Sequence, residues 1–191
     1  MFKFLLTLLL MVGLLTVPLQ AQVLPGTNIT RPNIDIQCDA ARDAKDYSNE
    51  INLCIKAAAA YDGIVNQLID YKKLANKNYL IEEMRYDKAL SLFEVASAYH
   101  SLGDDTNGHV YAVNVYKVYN ISRMYFWAKL NAASGRKLDN TNPIDFKTES
   151  SKVQEQLNSA LTEDDLKLIK NYSVLLHYVN ELYTDITNIN T

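Results

Sequence analysis

The sequence predicts an all-α protein of about six to eight antiparallel helices. Apolar residues recur at three- and four-residue spacings through most of the chain. Glycine and proline are scarce, with 6 and 4 among 191 residues. The clusters rich in turn residues are short and separate the periodic runs. The length is that of one substantial domain and is sufficient to bury a proper core.

Residues 1–21, MFKFLLTLLLMVGLLTVPLQA, carry Lys3, an apolar run through Val17, and Pro18 shortly before the small Ala21. This is the pattern of a secretory signal peptide, with a mature chain starting at Gln22. The run is short for a membrane span, no second candidate span follows, and no cysteine ends it to take a lipid. Export to the bacterial periplasm or secretion is therefore expected, without stable membrane insertion. Residues 22–35 contain Pro25-Gly26 and Arg31-Pro32 and lack a helical period, which predicts an extended N-terminal arm. A single helical domain is expected over 36–191, with a boundary near 136–145 where a loop precedes Pro143.

Cys38 and Cys54 are the only cysteines, and in an oxidising compartment they predict a structural disulfide. On one straight helix, residues 16 apart lie about 24 Å apart, beyond disulfide reach. A turn must intervene, and 46–49 supplies it, with a short helix before and a longer one after. No nearby histidine or third cysteine completes a metal set, and the spacing is not that of a redox CxxC pair. From 51 to 77 two periodic runs flank Gly63, which predicts either a helical hairpin, the preferred reading, or a close crossing within one helix.

The stretch 86–103, YDKALSLFEVASAYHSLG, reads as a buried structural helix. Leu90, Phe93, Ala96 and Leu102 lie near one side, Ala89, Leu92 and Tyr99 widen that face, and the alanines permit close helix approach. Residues 103–108, GDDTNG, read as a solvated loop, since the spacing of Asp104 and Asp105 lacks the repeated oxygen ligands of an EF-hand. The run 109–135 predicts two packed helices around a turn at 120–122.

Residues 86–96, YDKALSLFEVA, resemble the second-helix pattern of tetratricopeptide repeats and their Sel-like relatives. Residues 127–135, WAKLNAASG, resemble the Trp…Ala…Gly ending of the latter. The resemblance covers about 50 residues and implies an irregular, solenoid-like array of helix pairs, a non-enzymatic scaffold for protein binding. It implies packing positions at Ala89, Phe93 and Ala96 in one unit and at Trp127, Ala132 and Gly135 in another. Further on, Phe146, Val153, Leu157 and Leu161 suit an amphipathic helix. Thr162 is the expected N-cap of a last helix, whose packing stripe is Leu166, Ile169, Tyr172, Leu176, Val179, Tyr183 and Ile186.

Removal of Lys3 with the signal leaves 18 basic against 22 acidic residues, a net charge of −4, and no basic patch. Such a chain lacks the phosphate attraction of a nucleic-acid binder. His100, His109 and His177 show no metal-ligand spacing, and the pair Glu82-Glu83 reads as a solvated helical face. No nucleophile elbow or phosphate loop is present. Three matches to the N-glycosylation spacing, at Asn28, Asn120 and Asn171, carry meaning only in a eukaryotic secretory pathway.

These observations predict no catalytic residue, cofactor or metal. They predict an exported protein-binding scaffold with one protein partner, such as an immunity or inhibitor protein that blocks an exported toxin or hydrolase. Two alternatives stand beside it: a helical hydrolase with a tertiary active site, and a structural homodimer of the cell envelope. The 13 tyrosines supply rigid contact area for recognition, but sequence alone assigns no binding face.

Overall fold

The apolar periodicity resolves into five α-helices among the described residues, 22–134 and 160–188 of the computed structural model. They are α1 (Ile34–Asp43), α2 (Tyr47–Asp70), α3 (Lys77–Ser101), α4 (Asp105–Ser134) and α5 (Glu163–Asn188). The only β pairing among the described residues is an isolated bridge between Val23 and Thr30. None of the helices described is long and apolar enough to cross a membrane.

The N-terminal arm is hooked rather than extended. The Arg31 amide donates to the Gln22 carbonyl at 2.8 Å and the Leu24 amide to Ile29 at 2.8 Å. This closes a small hairpin that drives Leu24 and Ile29 into the core beside α2 and α3. Buried apolar area and backbone pairing thus hold a segment that lacks any helical period.

The chain leaves α1 through Lys45, whose φ of 57° lets the Lys45 and Asp46 amides reach the carbonyls of Arg42 and Ala41. Asp46 then accepts from the Asn49 amide at 3.3 Å and starts α2. The turn therefore sits at 44–45, two residues before the expected one. It brings Cys38 and Cys54 to disulfide distance with their Cα atoms 5.1 Å apart.

Three expected breaks are helical. Gly63 lies inside the continuous α2, and a Cβ there would meet nothing within 4 Å. Residues 120–122 lie inside the 30-residue α4, because Ser122 is fully buried against α5, where a turn would forfeit that packing. Asp105 to Gly108 are also helical: Gly103 (φ 76°) ends α3, and Asp104 accepts from the Asn107 amide at 3.2 Å to open α4. These continuities explain why the described helices are fewer than six to eight. The signal at 1–21, the boundary at 136–145 and most of the helix expected from Phe146 to Leu161 lie outside the described residues.

A Gly63→Ala substitution is expected to stabilise the protein by about 0.5–1 kcal/mol, since an open interior helical site gains propensity without a clash. A urea midpoint unchanged or lowered would contradict this. Gly108 is different. A Cβ there would come within 3.2 Å of both the Ala96 carbonyl oxygen and Ile186 Cδ1, so the start of α4 lies close against α3 and α5.

Consecutive helices run antiparallel, and α3 is their shared neighbour. One core, between α3, α4 and α5, contains Ala89, Leu92, Ala112, Val115, Phe126 and Tyr172. A second, under the arm, contains Leu24, Tyr61, Leu68, Leu80 and Met84. A third surrounds the cysteines with Ile51, Val95 and Ala98. The buried side of α3 centres on Ala89, Leu92, Val95 and Ala96, leaving Leu90 (37%) and Leu102 (51%) exposed, contrary to the expected face. Small residues define this side because a helix packed on several sides needs close approach more than bulk. On α5 the buried line is Asp165, Leu168, Tyr172, Leu175, Val179 and Ile186, while Leu166, Ile169 and Leu176 are half-buried and Tyr183 is exposed.

Candidate functional site

At the end of the array where α2 and α4 finish and α3 and α5 begin, a cleft of about 410 Å³ opens to solvent. Its walls are Leu74, Ala75 and Asn76 from the α2–α3 connection, Lys77 and Tyr79 from α3, Tyr125 and Lys129 from α4, and Thr162 and Asp164 at the start of α5. The volume lies within the range of small-ligand sites and accommodates a few side chains of a docking loop.

The floor is a preassembled polar network around Asp165, whose side chain is fully buried. Lys129 Nζ donates to Asp165 Oδ2, Thr162 Oγ1 donates to the same oxygen at 2.8 Å, and the Thr162 amide does so at 2.9 Å. In return Thr162 Oγ1 accepts from the Asp165 amide at 3.2 Å, a reciprocal cap. Tyr125 adds a long contact of 3.4 Å to Asp165 Oδ1, and Lys129 Nζ stands 5.1 Å from the Tyr125 ring centroid.

Burial works to raise the Asp165 carboxyl, but the Lys129 ammonium and the Thr162 donors hold it below its ordinary value. Burial likewise opposes the Lys129 charge, and Asp165 and Tyr125 outweigh it, so that group is raised. The Tyr79 hydroxyl is pushed up to about 12, chiefly by burial and then by Glu83 and Asp164. Burial is also the main influence raising the Tyr125 hydroxyl, so both tyrosines present neutral hydroxyls at physiological pH. Lys77 is engaged at the α2 terminus, where its ammonium donates to the carbonyls of Ile69 and, at 3.0 Å, Tyr71. The cleft thus presents aromatic rings, hydroxyls and amides beside the exposed Asp164 carboxylate.

Among the residues expected to matter, Ala89 and Ala96 are fully buried, and Phe93 and Trp127 pack half-buried against the α3–α4–α5 core. Ala132 lies on an exposed face and Gly135 falls outside the described residues. His100 Nδ1 meets Asp105 at 2.7 Å, His109 rests against the Tyr183 ring, and His177 pairs with Glu181 on its own helix. No group of three or more metal-ligating side chains forms among the described residues.

The pair Glu82-Glu83 is not a solvated face. Glu83 pairs with Arg31 of the arm at 2.8 Å. Glu82 is 2% exposed, pairs with Arg85, and lies beside Ser122. Its carboxyl is raised, with burial the main cause and Ser122 and Arg85 opposing. Glu82 and Arg85 are one helical turn apart, a spacing visible in the sequence. Ser122 and Tyr172 reach them only through the fold.

Neither a protein family, a curated protein nor a solved structure matches the chain.

Proposed function

We propose that the protein is an exported, non-enzymatic binding scaffold whose cleft receives a loop of one protein partner, in the manner of an immunity or inhibitor protein for an exported toxin or hydrolase. The observation that carries this reading is the pair of neutral tyrosines, Tyr79 and Tyr125, lining a cleft of about 410 Å³ over a floor of satisfied polar groups. Tyrosine offers large contact area with few rotatable bonds and a hydroxyl to orient a partner's backbone. A floor assembled before binding lowers the ordering cost of association. The resemblance to tetratricopeptide and Sel-like repeats supports the same reading, as does the array of neighbouring antiparallel helices. A signal at 1–21 and a disulfide suit a partner met outside the cytoplasm.

The test is affinity capture from the native extracytoplasmic fraction with residues 22–191 as bait, beside a Tyr79→Ala/Tyr125→Ala variant of unchanged circular dichroism. One specific protein is expected on the wild-type bait. Its affinity should fall by about 10–100-fold in the variant, the effect of removing aromatic anchors from an interface. Equal capture by both baits places binding elsewhere than in the cleft, and capture of nothing by either rejects the scaffold reading.

A further inference from the structure

Far from the cleft, where α1 ends and α2 begins, four carboxylates surround one guanidinium. Arg42 contacts Glu94 at 2.8 Å, Asp39 at 3.1 Å and, through Nε, Asp43 at 3.6 Å. Glu50, in the first turn of α2, is the fourth carboxylate. It is 2% exposed and its Oε2 has no hydrogen-bond partner. The charged groups around it are Asp39, Arg42 and Asp43 from α1, Glu94 from α3, and on its own helix Asp46, the N-cap one turn back. Arg42 is already engaged by the other three, so this buried carboxylate lacks a counter-charge of its own.

A carboxylate buried without a dedicated partner is costly as an anion and inexpensive as an acid. The field of the α2 N-terminus favours the anion, but burial is the larger influence, and Glu94 and Asp39 add to it against Arg42. The Glu50 carboxyl is pushed up to about 7. The location gives the charge a mechanical outlet. Of the three helices meeting here, α1 is the shortest at 10 residues, and it is tied to α2 through Cys38 and the turn at Lys45. Its last turn carries Arg42 between those two ties, and the ion pair of Arg42 with Glu94 on α3 is the contact that an ionised Glu50 would compete for.

We propose that the junction of α1, α2 and α3 is a proton-operated latch, closed while the Glu50 carboxyl carries its proton and loosened at the last turn of α1 when it is ionised. Because the folded protein binds this proton more tightly than the unfolded chain, the stabilisation is complete below the ordinary carboxyl value of 4.5 and is lost as pH rises through about 7. The latch is independent of the cleft, which lies at the opposite end of the array, so failure of one reading leaves the other intact.

Carbon-13 detection of the Glu50 side-chain carboxyl across pH 4–9 tests the charge directly, and a midpoint near 7 is expected. Hydrogen exchange tests the motion. After correction for intrinsic exchange rates, protection of the amides at 40–43 should fall about tenfold or more between pH 5.5 and 8.5 in the wild type and stay level in Glu50→Gln. A midpoint below 5.5, or the same pH profile in both proteins, overturns the proposal. If Glu50→Gln does not fold, Glu94→Gln decides it: removing the neighbouring charge should lower the Glu50 midpoint, and an unmoved midpoint overturns the proposal equally.

Discussion

Replacing Tyr172 by alanine is expected to cost about 3–5 kcal/mol, the largest single loss available on α5. The side chain is 1% exposed. Tyr86 meets its ring edge-on with centroids 5.1 Å apart, and Tyr119 packs at 5.4 Å. Its hydroxyl shares a hydrogen bond of 2.9 Å with Ser122. Truncation removes the ring that joins α5 to both α3 and α4, leaves a cavity, and takes a partner from a fully buried serine. Tyr172→Phe keeps the ring and should cost only about 1 kcal/mol, the net worth of one buried hydrogen bond. Urea unfolding of both variants separates these contributions. Similar losses in the two would mean that the hydroxyl network, and not the aromatic contact, holds α5.

Loss of the cross-link is expected to be nearly as severe. Cys38→Ala with Cys54→Ala should lower stability by about 3 kcal/mol, from the restored freedom of a loop closed across 16 residues. Both cysteines are buried with Ile51, Val95 and Ala98, so some packing is lost as well. What remains to hold α1 is the packing of Ile34 and the buried Ala41, with two polar contacts: Tyr61 donates to Asp35 at 2.8 Å, and Arg42 contacts Glu94. Comparison of denaturant midpoints for oxidised wild type and the double variant measures the effect. A loss under about 1 kcal/mol would show that these contacts and the core hold α1 without the covalent bond.

The features legible in the sequence were those decided by nearby residues. Thr162 was recognisable as a cap because its partner, Asp165, is three residues on. The cysteine pair was legible because helix geometry demands a turn between residues 16 apart if they are to meet. Gly63 and the stretch 120–122 misled because local turn preference was set against contacts not yet visible, and tertiary packing overrides weak propensities. Glu82 misled for a related reason. A glutamate beside another glutamate looks solvated until Ser122 and Tyr172, 40 and 90 positions later, are brought to it. The cleft could not be read at all. Its walls come from three segments of the chain, and no one of them contains a pattern that implies the others.

The position of α3 has a further consequence. It supplies Ala89 and Leu92 to one core, Leu80 and Met84 to the second, and Val95 and Ala98 to the third. No two of these cores can therefore come apart without disturbing a helix that the other needs. Substitutions beneath the arm and substitutions beneath α5 are expected to couple, because Tyr79 packs against both cores and α3 supplies residues to each. For the described residues, this makes the array one cooperative unit with no seam at which a shorter fragment could be cut and keep its shape.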